Sequence, residues 1–539
     1  MKTKTKLLII IIFIIALFLR IYKLGIIPPS PDWDEVALGY NAYSILKTGR
    51  DEYGVFLPTV FRSFDDYKPP LYTYLTIPSV YLFGLNEFAV RFPSAILGTI
   101  TVLTTFLFVR KLFEKSKFKD ELSLTSAFLL AISPWHLQFS RVAFETNVAL
   151  FFNVTGAWLF LKGKDNPKIW LLSSLFFGLA PYTYHSARVF TPLLLLGFFI
   201  FYRKDVIKNI KWAAVAALLL FILEIPLINT LASKEGRLRI KGVSALSDQT
   251  KILQRDIQKI QDDMKNSIPL ANILHNRRIT YSLIVIDGYL RHFDLRWLFL
   301  DGDIPRHHAP GMGILYLWEL PLLLFGLYKL VVNEKQERNI IIWWLLVAPI
   351  PASITTELPH AVRTLCFLPT FQIITAYGIV MIIKLFSQIS FWKKIIIIPY
   401  ACFIIFNIVY YFHQYYGHLS IETSKYWQFG YKQLVDEVKK LYPDYKKIIV
   451  STKLEQPHMF FLFYLKYDPE KYLSEGGTAS GGFKEMRNKF DKFEFRTFDI
   501  SKEKFGSDVL LIGTPEEIPS SDKTIYYLDG SQAIKLKRG

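Results

Sequence analysis

Apolar runs about as long as a bilayer is thick constrain this chain more than any other feature. Residues 7–24, 212–228 and 395–411 each approach the roughly 20 residues that a helix needs to cross the hydrocarbon layer, and none holds an internal charge cluster. Backbone amides inside lipid must be satisfied within their own segment, so such runs are helices. Over 539 residues, 51% are hydrophobic and 16% aromatic, which exceeds what a soluble domain of this size needs for its core. The expected fold class is mainly α: a polytopic transmembrane helical bundle of about eleven spans. Lys2, Lys4 and Lys6 precede the first run as in a signal peptide. That apolar core is too long, however, and no small-residue cleavage site follows Arg20, so it reads as a retained anchor.

The formal charge of +18 would suit a nucleic-acid partner, but much of the Lys and Arg lies in short segments between apolar runs, which is the positive-inside signature. No nucleic-acid partner is expected. With a cytoplasmic N-terminus, the basic loops at 110–119, 162–168, 203–211, 329–338 and 384–394 share one side, provided that 70–84 does not cross. That segment contains Pro78 and follows Pro69–Pro70, so it reads as an interfacial or re-entrant helix. The outer loops then cover about 25–90 and 231–311, and everything beyond 411 lies outside. Cys366 and Cys402 both sit in apolar stretches, which leaves neither a disulfide framework nor a cysteine metal site.

Within the second outer loop, Ile252, Leu253, Ile257 and Ile260 recur at helical spacing among charges, so 248–267 reads as an amphipathic helix. The pattern changes near residue 415. Helical spacing at 434–441, strand-like 448–451, 494–498 and 509–512, and a hairpin over 525–537 turning at Asp529–Gly530 predict a small soluble α/β domain. The expected organisation is a multi-span membrane domain over 1–414 and an extracytoplasmic domain over 415–539, in a multi-pass cell-membrane protein.

Ionisable side chains at span ends are costly, and here they share one face. Asp34, Glu35, Asp65, Asp66 and Lys68 lie in the first outer loop; His136, Arg141 and Glu145 flank the next outer turn; His185 and Arg188 the one after; Glu357, His360 and Arg363 a later one. Plainer readings exist for single residues. His136 beside Trp135 can be an interfacial anchor, Arg91 a helix cap, and His307–His308 a solvated loop. In Ser30-Pro31-Asp32-Trp33-Asp34-Glu35, the proline and acidic turn announce a helix, with Asp32 the better cap. Adjacent helical residues point about 100° apart, so one of Asp34 and Glu35 can face a cavity while the other is structural.

These residues resemble the membrane glycosyltransferases of GT-C type, within them the family 39 protein mannosyltransferases and the related lipid A aminoarabinose transferases. The resemblance rests on Asp34-Glu35, Tyr67-Lys68-Pro69-Pro70-Leu71, Asn86-Glu87-Phe88-Ala89-Val90-Arg91-Phe92-Pro93-Ser94, Ser133-Pro134-Trp135-His136 with Phe139-Ser140-Arg141, and Leu358-Pro359-His360-Ala361-Val362-Arg363. It covers most of the first 200 residues well and the rest to about residue 376 more loosely. Such relatives commonly carry Asp where Glu145 stands. The resemblance implies a polyprenyl-phosphate sugar donor, an external active site beneath the first loop, and inversion at the anomeric carbon.

The chemistry suits the residues. A sugar on phosphate already has a good leaving group, so the site needs cations for the departing phosphate and a carboxylate for the acceptor's proton. Lys68, Arg141 and Arg363 are the expected phosphate ligands, and Asp34, Glu35 and Glu145 the catalytic carboxylates, with Asp34 as base and Glu35 turned toward a Lys or Arg. Tyr67, His136, His185, Arg188, Glu357 and His360 are expected to contact substrate. No cofactor is predicted, no metal ligands are assigned, and a divalent metal stays open; the partners are the lipid donor, membrane lipid and an acceptor that is protein, glycan or lipid. A transporter or lipid flippase is the alternative, although its charges would cluster near the bilayer midplane in repeated halves. A structural scaffold would need no convergence of His, Arg and carboxylates.

Overall fold

The computed structural model describes residues 2–64, 66–232, 249–386, 397–482, 485–503 and 505–539. Asp65, residues 233–248 of the second expected outer loop and residues 387–394 of the last basic loop lie outside them.

Helix α1 (Thr3–Ile21) leads to α2 (Trp33–Thr48), a two-stranded hairpin β1 (Phe61–Ser63) and β2 (Asp66–Lys68), and α3 (Leu71–Phe83). Thirteen residues give α3 a length of about 20 Å, short of the hydrocarbon thickness, and it packs on α2 and on α4 (Glu87–Leu112). Then come α5 (Lys119–Ile132), the short α6 (Pro134–Ser140), α7 (Thr146–Gly163), α8 (Ile169–Leu179) and α9 (Ala187–Phe201). Among the described residues, three helical stretches are long and apolar enough to cross a membrane: Glu87–Leu112, Ile210–Thr230 and Leu365–Phe386; Ile169–Tyr182 and Ala187–Phe201 are shorter apolar helices. On Ile210–Thr230, Leu218, Phe221, Ile222 and Ile225 are exposed, an apolar surface that suits lipid rather than water. Deeper in, Gly326 and Gly378 let two helices touch backbone to backbone: a Cβ on Gly326 would stand 2.0 Å from the Ile374 carbonyl oxygen.

Buried arginines tie the first loop to the bundle. Arg91 donates to the carbonyls of Leu24, Pro28 and Ser30 and forks onto Glu35, with Nε to Oε1 at 2.9 Å and Nη2 to Oε2 at 2.8 Å. The helix-cap reading of Arg91 is thereby corrected: Asn86 caps α4, accepting from the Ala89 amide, and leaves the guanidinium to bridge. Asp32 caps α2 as expected, accepting from the Glu35 amide at 2.9 Å, and Gly49 ends that helix in the left-handed region at φ 70°.

The amphipathic helix of the second loop spans Gln249–Lys265. The C-terminal domain is an α/β unit. Its six-stranded sheet has the order β4 (Lys489–Phe490), β5 (Phe493–Phe495), β3 (Lys447–Val450), β6 (Val509–Gly513), β8 (Gln532–Arg538) and β7 (Lys523–Tyr526). β3 runs parallel to β5 and β6, and the other pairings are antiparallel. Helix Pro457–Leu465 of this domain packs against α2. Tyr40 donates to the Tyr467 carbonyl at 3.2 Å, Thr478 to Glu52 at 2.7 Å, and Lys432 pairs with Glu87 at 3.1 Å. A single apolar core accordingly includes Val36 and Tyr40 together with Leu434 and Phe461.

Candidate active site

A cavity of about 360 Å³ opens among the loops at one end of the bundle. α4 and α7 both begin at this end, and both finish at the end where Lys111 bonds Asp165, joining two basic loops. The cavity walls are the start of α2, the β1–β2 hairpin, the turn before α7, the turn before α9, and loop residues around 304–307 and 357–363.

Capping fixes the start of α2, and this aims Asp34 into the cavity, where its carboxylate accepts from Lys68 Nζ at 2.5 Å. The Asp34 side chain keeps 35% of its exposure, against 12% for Lys68, so the acid is the member of the pair that solvent or substrate reaches. Strand alternation sets the other positions: Ser63, Asp66 and Lys68 line this cavity, while Arg62 and Tyr67 line a second one of about 650 Å³ with Pro226, Asn229 and Thr230. Burial disfavours the Lys68 ammonium, but the charges of Asp34 and Glu145 outweigh it and hold its pKa above the ordinary lysine value. For Glu145, burial wins over the pull of Lys68, and its pKa rises to about 7.

Arg306 brings a second cation. Its Nη1 donates to Asp32 Oδ2 at 2.7 Å, and its guanidinium lies 4.9 Å from the centre of the Trp33 ring. Arg363 brings a third, held by the Thr355 hydroxyl at 2.7 Å and the Thr356 carbonyl at 2.5 Å. His185, Glu357 and His360 complete the expected residues that line the cavity.

Asp303, His307 and His360 present ligand atoms within 4.8 Å of one another. Asp303 Oδ2 is 3.2 Å from His307 Nδ1 and also accepts from the Ala361 amide. Burial alone would raise the Asp303 pKa, but the His307 hydrogen bond and charge bring it down to about 2. His360 falls to about 2 through burial and the neighbouring His307 and Arg363, so it stays neutral with one ring nitrogen free of a proton. Two imidazoles that line the cavity, together with one buried carboxylate, form a donor set that can hold a divalent cation. The solvated-loop reading of His307 is corrected, because only 4% of the residue is exposed.

Five expected residues lie elsewhere. Glu35 is fully buried behind the cavity wall, taken up by Arg91 and by the Ala143 amide at 2.8 Å. Arg141 is also fully buried and spends its donors on the carbonyls of Leu19, Arg20 and Ile27 and on the Tyr415 hydroxyl. His136 sits in the core with Nδ1 2.7 Å from Arg20 Nη2. Tyr67 belongs to the second cavity, and Arg188 donates to the Pro181 carbonyl at 3.4 Å. Sequence reasoning missed Arg306 as a cavity residue and Asp303 as the buried partner of His307. The four-residue spacing of Asp303 and His307 was a visible signal, but their meeting with His360, more than 50 positions later, was not.

Residues 67–228 match the family profile described as dolichyl-phosphate-mannose-protein mannosyltransferase. No curated protein matches the chain. The structure of ArnT from Cupriavidus metallidurans, determined bound to undecaprenyl phosphate, aligns over 98% of this chain and 97% of its own at a TM-score of 0.54 and 12% identity. The Archaeoglobus fulgidus oligosaccharyltransferase, tethered to an acceptor peptide containing the NVT sequon, aligns over 86% of this chain at a TM-score of 0.50 and 13% identity. This chain spans 63% of that protein's length. The fold is therefore that of the GT-C membrane glycosyltransferases, as the sequence motifs implied.

Proposed function

We propose, with the GT-C fold as premise, that this chain transfers a sugar from a polyprenyl-phosphate donor to an extracytoplasmic acceptor with inversion at the anomeric carbon. The observation that carries the reading is the Asp34–Lys68 pair inside a cavity that also presents Arg306 and Arg363. Lys68 exchanges Asp34 for the donor phosphate on binding, and the released carboxylate takes the acceptor's hydroxyl proton. The acceptor oxygen forms its bond to the anomeric carbon as the carbon–oxygen bond to phosphate breaks. The electron pair leaves with the lipid phosphate, whose charge the three cations stabilise. Glu35, held on Arg91, positions the loop rather than reacting. Arg141 acts likewise, clamping the chain between α1 and α2.

A second choice of base has support of its own. Glu145 lines the same cavity with its pKa raised to about 7, close to the value that suits proton transfer at neutral pH. The cavity and the C-terminal domain face outward in this reading, because the basic loops gather at the opposite end of the bundle.

The test is turnover by purified protein in liposomes with radiolabelled polyprenyl-phosphate sugars and envelope extract as acceptor. Label should reach the acceptor and release free lipid phosphate. Label that crosses the bilayer with the donor uncleaved would instead identify a flippase.

A further inference from the structure

A third cavity, of about 370 Å³, lies in the C-terminal domain, apart from the donor chemistry. It opens beyond the carboxyl ends of the adjacent parallel strands β3 and β6, where open α/β sheets characteristically bind small molecules. The segments that leave those two strands, 453–455 and 514–516, line it together with residues drawn from 425–431 and 527–534. Its floor is aromatic. Tyr431 is stacked flat on Phe460 at 3.9 Å and is locked by donation to the Leu454 carbonyl at 2.5 Å, while Phe429 and Tyr527 are half-buried beside it.

The polar groups define the ligand class. Gln428 is only 9% exposed, its backbone is left-handed at φ 44°, and its Oε1 has no hydrogen-bond partner among the described residues. A buried carboxamide oxygen without a donor is a cost that a ligand hydroxyl would relieve. Around the rim, Lys425 and Lys453 face Glu455 and Glu516, so the formal charges cancel. A phosphate would meet both carboxylates, and Ser451-Thr452-Lys453-Leu454-Glu455 after β3 is no glycine-rich phosphate loop. An uncharged molecule with apolar faces for the rings and hydroxyls for the rim and Gln428 fits on every count.

We infer that this cavity is a binding site for neutral saccharides. Consecutive residues stand between it and the site described above: the Trp427 ring centre lies 6.4 Å from that of Phe144 of the first cavity, and Gln428 lines the third. As a place to hold a glycan acceptor it rests on the glycosyl-transfer reading, whereas as a saccharide site it does not. The experiment therefore reads binding without turnover.

Full-length protein in detergent is applied to an array of neutral and acidic oligosaccharides, and the strongest neutral binder is titrated calorimetrically. Neutral glycans are expected to bind, with at least a tenfold weaker Kd in Tyr527→Ala and in the rim variant Glu516→Gln, and an unchanged Kd in Lys68→Ala. Binding of no neutral glycan overturns the inference, as does binding that survives both cavity variants or that disappears with Lys68→Ala. Glu516 is exposed, so its variant tests the site even where Tyr527→Ala fails to fold.

Discussion

Asp34 and Glu35 are adjacent carboxylates with opposite expected consequences, and separating them is the sharpest test of the site. Glu35 accepts two hydrogen bonds from Arg91 at 2.8 and 2.9 Å and a third from the Ala143 amide at 2.8 Å, with neither side chain of the ion pair exposed. Glu35→Ala leaves a buried guanidinium without its ion-pair partner, which costs about 3–5 kcal/mol. It also orphans a buried amide, at about 1–3 kcal/mol. Since the two losses share one carboxylate, they do not add fully, and a total of about 4–6 kcal/mol is expected. That is a large part of a typical stability of about 5–15 kcal/mol, so the variant should accumulate poorly and lose about 5–10 °C in apparent Tm. Asp34→Asn removes a half-exposed base and leaves packing intact, so Tm should move little. Turnover in the liposome assay should fall by about two to four orders of magnitude, or about 3–5 kcal/mol in the barrier, with donor affinity largely preserved. A Glu35→Ala protein as stable as the parent would refute the buried-pair argument. Near-normal turnover in Asp34→Asn would remove Asp34 as the base and transfer that role to Glu145.

Lys68→Ala should abolish most donor binding with expression intact, and unchanged donor affinity would reduce the lysine to an interfacial side chain. The Glu145 carboxyl is raised from 4.5 to about 7 by folding, so its contribution to stability is complete below pH 4.5 and is lost as pH rises through about 7. Glu145→Gln should flatten that part of a Tm–pH profile, and an identical slope in both proteins would contradict the assignment. With α3 too short to cross, a cysteine at position 115 should resist membrane-impermeant labelling in intact cells while one at position 68 reacts; the reverse pattern would invert the topology.

The sequence by itself determined the solvent and the chemical vocabulary. Runs of about 20 apolar residues admit only helices in lipid, and the motifs around Asp34, Lys68 and His360 carried the fold class, because both signals are local in the chain. The cap at Asp32, the short α3 and the hairpin about Asp529–Gly530 were legible for the same reason. Tertiary structure alone decided which polar residues share a space. Arg141 and His136 looked as reactive as Lys68 in the sequence, yet backbone carbonyls and Arg20 absorb them, since a buried polar group takes whatever partner packing supplies. Lys68 and Tyr67 part company because strand alternation sends neighbours into different cavities. The union of Asp303 and His307 with His360, and of Arg306 with Asp32 across 274 positions, depends on how distant loops meet at the end of a bundle, which no local spacing encodes.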